Sequence, residues 1–232
     1  MNATITIRRY QPERREDAYY EDFEVEVEPT DRVLDALNHI KWRIDGTLAL
    51  RRSCQHGICG SDAMRINGRN RLACKTLMEE VGDEVTVEPL MGFEVEKDLI
   101  VDFEGFFDTV RSVKAFQISE SDPPEEERIQ SPEEYERYEA TSKCIMCGAC
   151  TGSCPSFWPN RDFVGPAAVV QAHRFVFDSR DEGTEERLAE LDRRDGVWAC
   201  RTVFNCTKAC PVDIPVTKAI GEVKRAITEG EA

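Results

Sequence analysis

Apolar and polar residues alternate strictly at the start of the chain. Thr4-Ile5-Thr6-Ile7 and, after a polar turn, Phe23-Glu24-Val25-Glu26-Val27 each put their apolar side chains on one face with period two. Together they predict an opening β-hairpin. The period then becomes helical: Val33, Leu34, Leu37, Ile40 and Ile44 recur at three- and four-residue spacing behind Asp31, a candidate cap, and the run ends near Gly46. Short strands are predicted at residues 63–66, 71–74 and 85–88, with Asn67-Gly68 as a tight-turn signal. The first segment therefore reads as a small mixed sheet crossed by a helix.

Beyond residue 104 the pattern is helical. Helices are predicted at residues 106–116, 132–141, 166–179 with Pro166 at the favoured first-turn position, 185–194 before Gly196, and 216–228. Residues 119–127 are rich in proline and acid and carry no apolar period. A boundary near Glu104 follows, giving domains 1–104 and 105–232 with an acidic connector at about 119–130 and an α+β class for the whole. One internal repeat is visible, because Cys-Pro ends the run that begins at Cys144 and also the run that begins at Cys200.

Composition narrows the function. The 45 acidic against 30 basic residues give a net charge of −15, which argues against nucleic acid as a partner. No stretch approaches the apolar length of a membrane span, and residues 1–11 lack the apolar core of a signal peptide, so a chain soluble by itself and cytosolic is expected. In that setting ten cysteines read as metal or redox sites in preference to disulfides.

Their spacing is specific. Cys144-x2-Cys147-x2-Cys150-x3-Cys154-Pro155 matches the bacterial ferredoxin run, in which three close thiolates wrap one cubane and the fourth serves its neighbour. Cys200-x5-Cys206-x3-Cys210-Pro211 is the same run with Val203 in place of the second cysteine. By the exchange rule Cys144, Cys147, Cys150 and Cys210 hold a 4Fe-4S cluster, while Cys154, Cys200 and Cys206, one thiolate short, suit 3Fe-4S. Cys54-x4-Cys59-x2-Asp62 with Cys74 has the plant-type 2Fe-2S spacing, with Asp62 at the third ligand position. Asp62 alternatively serves the loop by hydrogen bonding while another group completes the iron's shell. Zinc ribbons would use paired Cys-x2-Cys knuckles and not a three-plus-one run ending in Cys-Pro. His39, His56 and His173 match no ligand position, and there is no Gly-rich nucleotide loop.

The stretch Ser53-Cys54-Gln55-His56-Gly57-Ile58-Cys59-Gly60-Ser61-Asp62, with Asn67-Gly68 and Leu72-Ala73-Cys74, resembles the iron-sulfur subunit of the succinate dehydrogenase and fumarate reductase family. So do Cys154-Pro155-Ser156-Phe157-Trp158, Gly165-Pro166-Ala167, and Arg174-Phe175 with Asp178-Ser179-Arg180-Asp181. The resemblance covers nearly the whole chain. It implies an N-terminal plant-type 2Fe-2S ferredoxin (β-grasp) domain followed by an all-α dicluster domain. It further implies a flavoprotein partner carrying FAD, a hydrophobic membrane anchor with or without haem, and a peripheral position at the cytoplasmic face of the cell membrane. Electrons would run singly through 2Fe-2S, 4Fe-4S and 3Fe-4S to a quinone, with succinate oxidised on the partner and no substrate-oxidising site here.

The resemblance also implies a quinone site at Pro155, Trp158, Arg201 and Val203, with two departures. Pro159 stands where a second Trp is frequent in the family, and Arg201 where His is frequent. Trp158 reads equally as a packing aromatic, and Arg201 as a surface or anchor-facing charge. Two other functions fit parts of the pattern: the same relay reversed in a quinol:fumarate reductase, and a free multi-cluster ferredoxin or redox-sensing module.

Overall fold

The computed structural model describes residues 1–14 and 17–230; Arg15 and Glu16, within the expected polar turn, lie outside the described residues. Contacts divide the chain into two compact units, Met1–Phe103 together with Ile145–Ser153, and Glu104–Cys144 together with the remainder from Cys154.

In the first unit, β1 (Asn2–Arg9) and β2 (Tyr19–Glu26) pair antiparallel with Ile5 opposite Phe23. β5 (Glu84–Glu88) lies parallel on the other side of β1, and β3 (Ala63–Ile66) and β4 (Arg69–Leu72) complete a five-stranded sheet of order β2-β1-β5-β3-β4. Ala3, Ile5, Ile7, Phe23 and Val25 are buried, so the period-two pattern does select the inner face. Val33, Leu34, Leu37 and Ile40 join the same core from α1 (Val33–His39), which gives the α+β grasp arrangement.

Three details depart from the sequence reading. The helix is capped by Arg32, whose N–H is received by the Asp35 carboxylate (2.9 Å), while Asp31 accepts the N–H of Glu28 (2.8 Å). A π-helical turn, Ile40–Ile44, follows α1, and its wider winding rotates Ile44 out of the buried stripe to 51% exposure. The elements α2 (Met78–Val81), β6 (Val95–Lys97) and β7 (Ile100–Val101) are too short to show a period.

A buried charge cluster ties the sheet to the segment leading into the first cysteine loop. Arg9 and Asp98 are fully buried and paired (3.1 Å), and Arg9 also meets Asp45 (2.7 Å) and Thr47 (3.0 Å). Asp98 accepts the N–H groups of Tyr10 (2.9 Å) and Ala49 (2.8 Å), fixing the backbone just ahead of Leu50.

In the second unit α6 (Gly165–Val176) is buried on almost every side and packs against α3 (Glu104–Ser112), α4 (Pro132–Ser142), α7 (Thr184–Leu191) and α9 (Val216–Glu229). Ser131 caps α4 reciprocally with Glu134, and Pro132 opens it. α3 starts before Phe106 and ends at Ser112, where Lys114 takes a left-handed conformation. The acidic connector carries no helix or strand but is pinned, since Glu182 accepts hydrogen bonds from Glu120 and Ser121. His173 is a core residue, bridging Thr141 (3.1 Å) and Glu222 (2.9 Å).

Replacing Arg9 by Met is expected to leave Asp98 buried and unpaired and to cost about 3–5 kcal/mol in urea unfolding. An unchanged midpoint would contradict that role. Burial alone would raise the Asp45 carboxyl, but hydrogen bonds from Thr47 and Arg9 outweigh it and hold it at about 2, against an ordinary 3.8. A depressed folded pKa stabilises above the unfolded value and is lost as pH falls towards 2. Discounted for partial exposure, about 1 kcal/mol of stability should disappear over that window, and Asp45→Asn should remove this part of the acid dependence.

Candidate metal centres

The first site is built on the loop 54–62 and its neighbour Cys74. Left-handed Gln55 (φ 61°), Gly57 (φ 81°) and Gly60 (φ 67°) curl the loop so that backbone N–H groups point inward. Ile58 and Cys59 donate to Cys54 Sγ at 3.4 and 3.3 Å, and Cys54 N–H reaches Cys59 Sγ at 3.4 Å. Backbone donation from His56, with Cys59 and Ile58, lowers the Cys54 thiol to about 6, a thiolate-forming environment. Burial drives Cys74 the other way, up to about 12, with the carboxylate of Asp62 adding to the effect.

Asp62 is 2% exposed. Its Oδ2 accepts the N–H of Cys74 at 2.5 Å, while its Oδ1 is buried without a hydrogen-bond partner. An orphaned carboxylate oxygen beside a buried thiol is a site short of positive charge. Iron would satisfy both groups, and the donor set Cys54, Cys59, Asp62 and Cys74 fits a 2Fe-2S rhomb. Among the described residues no three His, Cys, Asp or Glu side chains close on one metal ion.

The two Cys-Pro runs share a backbone. In the first, Met146 (φ 51°) and Gly148 (φ 75°) are left-handed and the short helix α5 (Ala149–Gly152) follows. In the second, Thr202 (φ 56°) and Phe204 (φ 64°) are left-handed and α8 (Asn205–Ala209) follows. Val203 thus occupies the conformational place of Cys147. Cys147 and Cys150 belong to the first unit, Cys144 and Cys210 to the second.

Cys154, Cys200 and Cys206 lie within the second unit, close enough for their charges to interact. Burial raises the thiols of Cys154 and Cys206, and the neighbouring Cys200 adds to both. Thr202 N–H donates to Cys200 Sγ (3.4 Å), and the Thr217 hydroxyl lies 3.6 Å from Cys206 Sγ. Three crowded sulfurs, two of them buried, fit an iron cluster for the reason that holds at Asp62.

Beside this group is a cavity of about 520 Å³ lined by Pro155, Pro159, Trp198, Arg194 and Arg201, with Asn160 bonded to Asp195 at its edge (2.8 Å). Of the residues expected at a quinone site, Pro155 and Arg201 line it. Trp158 (39% exposed) and Val203 (50%) stand outside its lining. Sequence reasoning passed over Trp198 and Arg194, although Trp198 sits two residues before Cys200. It also passed over Lys224, whose ammonium donates to the Cys200 carbonyl (3.3 Å) and lies 5.7 Å from the Trp198 ring.

Two thiol-rich ferredoxin-type modules on one chain define an iron-sulfur electron-transfer protein. Comparison agrees: residues 4–108 match the model of the 2Fe-2S iron-sulfur cluster binding domain, and residues 137–211 that of the 4Fe-4S dicluster domain. The chain is 40% identical to the succinate dehydrogenase iron-sulfur subunit of Coxiella burnetii over 95% of both chains. It is 38% identical to the fumarate reductase iron-sulfur subunit of Escherichia coli O6:H1 over 96% of this chain and 92% of that one. Among solved structures it resembles a chain of the Mycobacterium smegmatis Sdh1 complex in the apo form, with TM-score 0.84, 27% identity, and 99% and 97% coverage. The chain belongs to the family of succinate dehydrogenase and fumarate reductase iron-sulfur subunits.

Asp62→Asn keeps an acceptor for the Cys74 N–H but removes the anionic oxygen that would hold iron. It should cost most of the reduced 2Fe-2S resonance and its iron, whereas Asp62→Cys should retain both. A fully loaded Asp62→Asn protein would make Asp62 a loop residue only.

Proposed function

We propose that this chain relays single electrons between a flavin-bearing partner subunit and a quinone, through clusters held at three sites. In the forward direction succinate is oxidised on the partner, and quinone takes two electrons and two protons to become quinol. The ligand sets are Cys54, Cys59, Asp62 and Cys74 for 2Fe-2S; Cys144, Cys147, Cys150 and Cys210 for 4Fe-4S; and Cys154, Cys200 and Cys206 for 3Fe-4S. Domains 1–104 and 105–232 carry the first site and the other two. Bound there, the clusters accept and pass one electron at a time.

The observation that carries this reading is the junction of Cys154, Cys200 and Cys206 with the cavity that Arg201 lines. Pro155 and Arg201 each follow a ligand cysteine directly, so the loops that hold the cluster also form the cavity wall. The Arg201 guanidinium, a permanent charge with five donors, would polarise the quinone carbonyl. N–H groups aimed at the sulfurs of Cys54, Cys59 and Cys200 offset thiolate charge and would raise the potential at the first and third sites. The Asn160–Asp195 bond holds the two cluster loops at a fixed opening.

No helix among the described residues is long and apolar enough to cross a membrane. Trp158, Trp198, Val203 and Phe204 nevertheless expose apolar surface around the third site. That surface supports docking on a hydrophobic anchor subunit at the cytoplasmic face of the membrane. Direction follows the potential of the quinone, a low-potential quinol favouring fumarate reduction.

Val203→Cys supplies a thiolate at the place Cys147 holds in the first run. In the intact, air-oxidised complex the paramagnetic signal of an oxidised three-iron centre should vanish as a fourth iron enters, and quinone reduction should slow. A persistent three-iron signal in the folded variant would sink the exchanged-ligand assignment. Arg201→Leu should depress succinate-driven quinone reduction about 10- to 100-fold, the worth of one charged hydrogen bond. Electron transfer from succinate to a soluble dye should survive, and normal quinone kinetics would exclude Arg201 from the site.

A further inference from the structure

The first unit contains a segment from far along the chain, Ile145–Ser153, which brings Cys147 and Cys150 into the body that holds Cys54, Cys59, Asp62 and Cys74. Glycines make its seat. At Gly60, the residue after Cys59, a Cβ would lie 2.6 Å from Cys147 Cβ, 3.0 Å from Cys147 Cα and 3.1 Å from the Ile145 carbonyl oxygen. At Gly152 a Cβ would fall 2.1 Å from the Met91 carbonyl oxygen, and at Gly148 2.7 Å from the Phe103 ring. Asn70 Nδ2 donates to Ser153 Oγ (3.0 Å), and Ala149 is buried in the core of the same unit. The segment is held from behind and has no room to retreat. The loop of the first site touches the backbone of Cys147 only because residue 60 lacks a side chain.

We infer that Gly60 is a positioning residue for the relay: its contact with Cys147 sets the separation between the first and second clusters. The inference rests on the ligand sets proposed above. The step it governs moves one electron from the reduced 2Fe-2S centre to the oxidised 4Fe-4S centre, with no bond made or broken and no proton transferred. Electron tunnelling falls steeply with distance. A methyl group at residue 60 would press on the Cβ and backbone of Cys147 and on the Ile145 carbonyl, and so acts on the gap while adding no charge and removing no ligand atom.

The test is Gly60→Ala in the intact complex, with Gly68→Ala as control. Gly68 is also left-handed (φ +78°), but a Cβ there meets only Arg65 at an ordinary 3.9 Å, so it reproduces backbone strain without the clash. Iron content and the individual resonances report loading. Magnetic coupling between the two reduced clusters reports their separation, and freeze-quenched reduction by succinate reports transfer between them. Gly60→Ala is expected to load both sites, lose part of the coupling and delay reduction beyond the first cluster, whereas Gly68→Ala behaves as the unsubstituted complex. Loaded clusters with unchanged coupling and timing in Gly60→Ala overturn the inference. If Gly60→Ala does not load, Asn70→Ala, which loosens the far end of the seat, replaces it, and unchanged coupling there is equally decisive. Absence of either cluster from the unsubstituted complex would instead overturn the ligand assignment.

Discussion

Buried sulfur and carboxylate need positive charge, and the rest of the molecule is arranged around that need. Asp62 Oδ1 is sealed from water without a donor, the thiol of Cys74 is driven up by burial beside that carboxylate, and Cys154, Cys200 and Cys206 crowd together. Leaving such groups uncompensated costs several kcal/mol apiece. Iron bound at the proposed ligand sets would supply the compensation, and the backbone N–H groups turned toward Cys54, Cys59 and Cys200 add to it. The sheet and the helical unit act as rigid mounts for loops that would not hold these conformations by themselves.

Those loops reach their conformation through residues in the left-handed region. Gln55, Met146, Thr202 and Phe204 take it without being glycine, each at a modest energetic cost that the cluster and the surrounding packing outweigh. Because the same left-handed pair precedes α5 and α8, the two Cys-Pro runs are one device used twice. Among the cysteine positions of the two runs the difference is a single side chain, Val203 in place of Cys147. On the proposed assignment, that one change separates a three-iron centre from a four-iron centre.

Much of this was legible in the sequence, for physical reasons. Alternation and helical spacing mark positions buried in a continuous core, so β1, β2, α1 and the second-unit helices could be read within a few residues. The cysteine runs were legible because cluster geometry fixes spacing along the chain. What escaped was non-local or too short. The π turn that exposes Ile44, the Arg9–Asp98 pair and the two-residue strand at Ile100 depend on partners distant in sequence. The surroundings of Cys200 show the same limit: Pro155 and Arg201, which line the cavity, adjoin cysteines of the two runs, whereas Lys224, which bonds the Cys200 carbonyl, comes from another helix. Gly60 carries no sequence signal that distinguishes a turn glycine from one in contact with Cys147.

The central claim, three different clusters on one chain, is tested most directly by Mössbauer spectroscopy of the intact complex grown on ⁵⁷Fe. Its absorption should resolve into three components with areas in the proportion two to four to three, the iron content of the three cluster types. Equal areas for the second and third components would place a fourth iron beside Val203, and zinc in place of iron at any site would contradict the relay.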